Sequence, residues 1–248
     1  ELFSHFTDHI QSAGLDITEK TVTNVMSVGT YYMVLADNEV YEAKTLILAF
    51  GAEHRKLDIP GEDDLGGLGV SYCATCDGAF YRDVPVCVVG GGDSACEEAM
   101  FLTRFASRVY LIHRRDTLRA SKIMAERTLS NEKIFPMWNS TIVSYKTDDK
   151  GELEAVMLKD VVEGDETELP VKCVFMAIGH TPNTSFLGDL VDRDDAGYII
   201  RETGMMATRT PGLFAAGDVA DPHYRQAISS AGMGCSAAIE AERYLLGL

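Results

Sequence analysis

Hydrophobic residues in this chain fall in short runs rather than long stripes. Val84-Pro85-Val86-Cys87-Val88-Val89 is one such run and Val109-Tyr110-Leu111-Ile112 another. Runs of this length and valine content read as strands buried in a parallel sheet. Between them, Ala95 to Phe105 carries apolar residues at helical spacing. Thr21 to Val28, Tyr31 to Ala36, Glu39 to Tyr41 and Gly212 to Ala216 read as further strands, and Ala227 to Tyr244 as a final helix. Glu1 to Gly14 reads as an amphipathic helix. Leu46-Ile47-Leu48-Ala49-Phe50-Gly51 and Val174-Phe175-Met176-Ala177-Ile178-Gly179 form a weak internal repeat, each an apolar strand closing on Ala-x-Gly.

The first apolar run leads straight into Gly90-Gly91-Gly92-Asp93-Ser94-Ala95. Strand, glycine turn, helix and second strand together make the context in which a dinucleotide fingerprint works. The glycines let backbone approach a pyrophosphate, and the helix start supplies N–H donors and a positive dipole end. A tight strand-to-helix turn without a ligand uses the same glycines, but the flanking elements favour nucleotide binding. The second strand ends in His113-Arg114-Arg115, with Arg119 beyond. An NAD site places an acidic residue in this region to hold the ribose 2′-hydroxyl. Guanidinium forks instead match a 2′-phosphate, which selects NADPH. A solvated basic edge is the alternative, although in a chain of net charge −16 three clustered arginines stand out.

Six cysteines are present, with one close pair in Cys73-Ala74-Thr75-Cys76-Asp77-Gly78. That is not a secreted disulfide framework. No signal-peptide pattern is visible, and no apolar stretch approaches the roughly 18 residues of a spanning helix. In a cytosolic protein a Cys-x-x-Cys is redox-active or metal-binding. Zinc commonly takes four ligands; Cys87 and Cys96 lack the spacing, Cys173 and Cys235 stand apart, and His5 and His9 are only two. The pair therefore reads as a redox dithiol and no metal is expected. Asp77 beside it could hold or relay the proton that a leaving sulfur needs, although Asp-Gly fits an ordinary turn equally well. A pI near 4.7 argues against nucleic acid and anionic membranes as partners.

Taken together, Cys73 to Gly78, the Gly90–Ala95 turn, His113-Arg114-Arg115, Ala177-Ile178-Gly179-His180-Thr181-Pro182-Asn183, Ala215-Ala216-Gly217-Asp218-Val219 and Tyr224-Arg225-Gln226-Ala227-Ile228 resemble bacterial-type, low-molecular-weight thioredoxin reductases over nearly the whole chain. The resemblance implies an α/β fold of two Rossmann-like, three-layer nucleotide domains with parallel sheets. An FAD domain (1–52 and 177–248) would be interrupted by an NADPH domain (53–176) that carries the disulfide. Ile178, Gly179, Asn183, Gly217, Asp218, Arg225, Gln226 and Ala227 would then serve the cofactors alongside Gly90, Gly92, Asp93, Ser94, Ala95, His113, Arg114, Arg115 and Arg119. Cys73, Cys76 and Asp77 would carry the chemistry, with Cys76 on the flavin side and Cys73 attacking thioredoxin. A homodimer, a cytoplasmic location and rotation of the NADPH domain at hinges near Gly51 and Gly179 also follow from it.

This sequence departs from the family pattern in places. The strand-turn-helix that opens the family's FAD domain has no counterpart, so Glu1 maps inside that domain and the chain reads as amino-terminally truncated. Phe50 stands where Thr is usual, Ala79 replaces one of two adjacent aromatics, and Leu68 occupies a commonly basic position. Two rival readings follow. One is an alkyl hydroperoxide reductase flavoprotein, against which the Ala-Thr spacer argues; the other is a flavin-free, non-catalytic NADPH-binding fragment.

Overall fold

The computed structural model describes residues 2–247. In chain order it contains helix α1 (Leu2–Ser12) and strands β1 (Val22–Val28), β2 (Tyr31–Ala36), β3 (Glu39–Ala43), β4 (Leu46–Leu48), β5 (Ala52–His54) and β6 (Val70–Ser71). Helix α2 (Ala74–Asp77), β7 (Pro85–Val89), α3 (Asp93–Leu102), β8 (Arg108–Ile112), α4 (Lys122–Leu129) and β9 (Ile134–Met137) follow. The chain continues through β10 (Ser140–Thr147), β11 (Leu153–Asp160), β12 (Glu166–Pro170), β13 (Val174–Met176), β14 (His180–Pro182), β15 (Leu213–Ala215) and α5 (Ala227–Leu246). The elements expected from apolar pattern are all present among the described residues; Glu1, where the first expected helix begins, lies outside them. The helix expected over Ala95 to Phe105 starts two residues earlier and ends at Leu102, where the chain turns through Thr103 to Phe105.

Two compact units result, one of residues 1–52 and 182–248, the other of residues 53–181. The second crossing thus lies after Thr181, five residues beyond the expected boundary at 176. The reason is hydrogen bonding. Past β13, the Ala177 N–H donates to the Val89 carbonyl and the Gly179 carbonyl accepts from Arg55 N–H, which binds this stretch to the central unit.

The central unit has three layers. Its middle is a five-stranded sheet in the order β6-β13-β7-β8-β9, with every pairing parallel. Alternate residues of β7 face opposite ways, because side chains alternate along a strand. Val86 and Val88 pack with Ala95, Ala99 and Leu102 of α3. Cys87 and Val89 pack with Ile142, Leu153, Val156 and Leu158 of β10 and β11. An antiparallel sheet β10-β11-β12 therefore forms the third layer. Nothing in the sequence reading anticipated it. Burial on both faces is what makes β7 continuously apolar.

The other unit repeats the plan on a smaller scale. The parallel pair β15-β4 is its middle, with Leu213, Ala215 and Leu48 packed toward Val25 and Tyr32 of the antiparallel β1-β2-β3 sheet. Phe214 and Ala216 face Ala237 and Ala241 of α5. Helix α1 is exposed from Ser4 onward except at Ile10. The two copies of the Ala-x-Gly repeat end on left-handed glycines, Gly51 at φ 70° and Gly179 at φ 101°.

Candidate functional site

The glycine turn joins β7 to α3, and each of its glycines has a different physical reason. A Cβ added at Gly90 would stand 2.5 Å from the Ala177 carbonyl oxygen and 2.7 Å from the Ala95 Cβ. Only a glycine there, with a small Ala95 behind it, lets the strand end meet the helix. Gly92 caps α3, and a Cβ on it would meet nothing within 4 Å. That open space at the start of a ten-residue helix is what an approaching phosphate requires. Ser94 is exposed beside it. The Asp93 carboxylate is turned elsewhere: it accepts from both the N–H and the hydroxyl of Ser121, each at 2.9 Å. Asp93 therefore ties the following loop to the turn.

That loop carries the arginines. Its start is pinned by His113, whose N–H donates to the Met137 carbonyl. Its end is pinned by the Arg119 N–H, which donates to the Gly91 carbonyl at 2.6 Å. Arg119 lies in this loop and not on a helix. Arg114, Arg115 and Arg119 are all exposed, and none of them forms an ion pair among the described residues. His113 is buried with its Nε2 unpartnered. Burial, reinforced by the three nearby arginines, lowers the affinity of its ring for a proton. Three unpaired guanidinium groups beside an orphaned buried nitrogen and an open helix start fit a phosphorylated nucleotide.

The thiols lie in the same unit. Cys73 and Cys76 are joined in a disulfide at the ends of one helical turn, with their Cα atoms 5.3 Å apart. The Cys76 N–H points at Cys73 Sγ at 3.2 Å. Cys76 is the more exposed of the two. Asp77 ends that turn, and its Oδ2 accepts from the Ser71 hydroxyl at 2.7 Å. The other thiols of the unit are buried: Cys87, Cys96 and Cys173 are all fully covered. Cys173 is not isolated, because its carbonyl accepts from the Cys87 N–H across the sheet. Burial pushes the Cys173 thiol up to about 12, so it stays protonated and unreactive.

In the unit of residues 1–52 and 182–248, Asn183, Gly217, Asp218, Arg225, Gln226 and Ala227 lie beyond the carboxyl ends of β4 and β15, the edge where open α/β sheets bind ligands. Asn183 donates its side-chain amide to the Phe50 carbonyl and its backbone N–H to Gly51. Phe50 packs edge-on against Phe186. Gly217 is left-handed at φ 77°, and Asp218 accepts from Ser230 of α5. Arg225 is also left-handed, at φ 48°. The residue that enforces this is Asp221, which is buried and accepts from the N–H groups of His223, Tyr224 and Arg225. Burial alone would raise its pKa; the three donors outweigh that and hold it below the usual value. Ile178 and Gly179 belong to the central unit instead.

Residues 5–234 match the family described as pyridine nucleotide-disulphide oxidoreductase. The thioredoxin reductase of Mycolicibacterium smegmatis is 47% identical over 99% of this chain and 78% of its own length. Thioredoxin reductase 1 of Saccharomyces cerevisiae is 45% identical over 100% of the chain and 79% of its own. The crystal structure of the Streptococcus pyogenes thioredoxin reductase superposes with a TM-score of 0.93 at 38% identity, covering 100% of this chain and 80% of that one. The chain belongs to the thioredoxin reductase family. Members of the family contain FAD and use NADPH.

The residues present fit both groups. The nucleotide turn and its arginines suit NADPH as described. For FAD, the left-handed Gly217, the loop held by Asp221 and the first turns of α5 form a small-residue surface. There, Ala227 is exposed, and a Cβ on Gly232 or Gly234 would meet nothing within 4 Å. Sequence reading missed Asp221, although Asp221-Pro222 is a turn-initiating signal. It also missed Ser71 and a buried Glu62, which accepts from the N–H groups of Leu57 and Ile59 and from the Tyr72 hydroxyl, next to Cys73. No local pattern marks either of these.

Proposed function

We propose that this protein is an NADPH-dependent thioredoxin-disulfide reductase that passes electrons through FAD and the Cys73–Cys76 pair to oxidised thioredoxin. The observation that carries the reading is a disulfide, with an acid beside it, in the same unit as a nucleotide turn flanked by unpaired arginines.

In this reading Gly90, Gly92, Ser94 and Ala95 receive the pyrophosphate of NADPH, Asp93 and His113 shape the loop, and Arg114, Arg115 and Arg119 hold the 2′-phosphate. Asn183, Gly217, Asp218, Arg225, Gln226 and Ala227 hold FAD. When bound, FAD supplies the step between a two-electron hydride donor and a disulfide. The chain's own residues do the rest. Cys76 takes the electrons, Asp77 gives a proton to the leaving sulfur, and Cys73 attacks the disulfide of thioredoxin. Phe80, strongly exposed beside the dithiol, is offered as part of the thioredoxin contact.

No helix among the described residues is long and apolar enough to cross a membrane. A cytoplasmic location and a homodimer complete the proposal. The free, buried Cys87, Cys96 and Cys173 suit a reducing compartment.

The deciding experiment is a visible absorption spectrum of the purified protein followed by NADPH and thioredoxin. A flavin band bleached by NADPH and restored by oxidised thioredoxin is the expected result. A flavin band restored only by oxygen would overturn the thioredoxin assignment.

A further inference from the structure

Ser71 sits between the dithiol and its acid. It lies on β6, 4% exposed, with its backbone held in parallel register against Phe175. Its hydroxyl donates to Asp77 Oδ2 at 2.7 Å and accepts from the Cys73 N–H at 3.1 Å. The Cys73 carbonyl stands 3.4 Å away as a second acceptor.

A hydroxyl has one proton and two lone pairs. With Asp77 ionised, the proton points at the carboxylate and a lone pair takes the Cys73 N–H, as observed. With Asp77 protonated, the acid O–H can donate to Ser71 Oγ while the hydroxyl proton turns to the Cys73 carbonyl. One bond rotation satisfies both states at a hydroxyl whose own residue is buried. We propose that Ser71 is a positioning residue that holds Asp77 in both of its protonation states and links them to the backbone of Cys73.

The inference rests on the reading of Asp77 as proton donor. Opening the disulfide breaks the S–S bond and adds two electrons and one proton, leaving one thiolate and one thiol. NADPH oxidation supplies the electrons. Asp77 supplies the proton, which becomes the S–H bond, and solvent reprotonates the carboxylate. Of the other groups facing Asp77, Tyr81 and Cys173 are both kept neutral by burial, and Glu152 acts on Tyr81 from β10–β11. Neither Tyr81 nor Cys173 is therefore placed to trade a proton with Asp77.

The test uses the full-length, flavin-loaded protein and two readouts: thioredoxin turnover, and the pH profile for reduction of the Cys73–Cys76 disulfide by dithiothreitol. The second needs neither NADPH nor flavin. Ser71→Ala is expected to slow both about tenfold, as loss of one charge-assisted hydrogen bond would, and to displace the pH profile. Ser71→Thr should restore rate and profile. Ser71→Gly, which also lacks the hydroxyl, gives the same test if the alanine variant does not fold. A Ser71 variant without its hydroxyl but with an unmoved profile would overturn the proposal, even if it melted early. Asp77→Asn separates the two ideas. If it is slow while Ser71→Ala behaves as wild type, only the role of Ser71 fails; if it is as fast as wild type, the role of Asp77 fails first.

Discussion

Gly91 lies flat against the His113 ring: a Cβ on Gly91 would stand 2.3 Å from the ring Cε1 and 2.4 Å from Nδ1. The Gly91 carbonyl also accepts the N–H groups of Arg119 and Ala120. One residue without a side chain thus joins the nucleotide turn, the end of β8 and the loop of arginines. The middle glycine of the turn, which the dinucleotide fingerprint leaves unspecified, is fixed here by packing.

Gly91→Ala should therefore act on the fold. Pushing a methyl into a buried ring costs about 1–3 kcal/mol, so its thermal midpoint should fall and NADPH affinity with it. Gly92→Ala should leave the midpoint nearly unchanged, because its Cβ enters open space, yet raise KM for NADPH by occupying the phosphate's place. Thermal melts alongside KM for the two variants check the contrast; equal melting losses would refute it.

Replacing Arg114 and Arg115 by Ala should raise KM for NADPH far more than for NADH. One charge-assisted contact is worth roughly 1.5–3 kcal/mol, or about ten- to a hundredfold. Steady-state kinetics with both nucleotides measure this, and equal effects would remove the 2′-phosphate role.

Cys76→Ser should abolish thioredoxin reduction while NADPH still bleaches the flavin band. The nucleotide turn and the dithiol are separate elements of the central unit, so losing the sulfur leaves the turn intact. Residual turnover on thioredoxin would sink the dithiol route.

Asp221 predicts an acid-side effect. Its folded pKa lies below the ordinary 3.8, so the folded state binds fewer protons than the unfolded one just below that value. Its contribution is complete above the ordinary carboxylate range and is lost as pH falls through the folded value. Asp221→Asn should lower stability by roughly 1–2 kcal/mol at neutral pH, and its deficit should shrink in acid. Denaturant titrations at neutral and acid pH measure it; a deficit independent of pH would mean that the charge is not involved.

The strand, glycine turn and helix start and the Cys73–Cys76 pair were legible in the sequence because each depends on neighbours in the chain. A valine-rich run, a glycine turn and a helix start are constraints on consecutive backbone angles, and Cys-x-x-Cys closes within one turn. The runs around Val86 and Phe175 told of burial on both faces, but not of what covers each face. The β10–β12 layer does so on one side, and its own strands carried no comparable signal because one face is solvated.

The sequence by itself determined the glycine turn, the Cys73–Cys76 pair and the repeated Ala-x-Gly ends, since each is local and strongly restricted in conformation. Only the tertiary structure decided that Ser71 bridges Asp77 and Cys73, that Asp93 serves a loop and Asp221 a strained arginine, and that the central unit extends to Thr181. Those outcomes depend on which polar groups burial leaves in need of partners. A buried N–H, hydroxyl or carboxylate must find a partner wherever the fold brings one, and spacing along the chain does not say where that is.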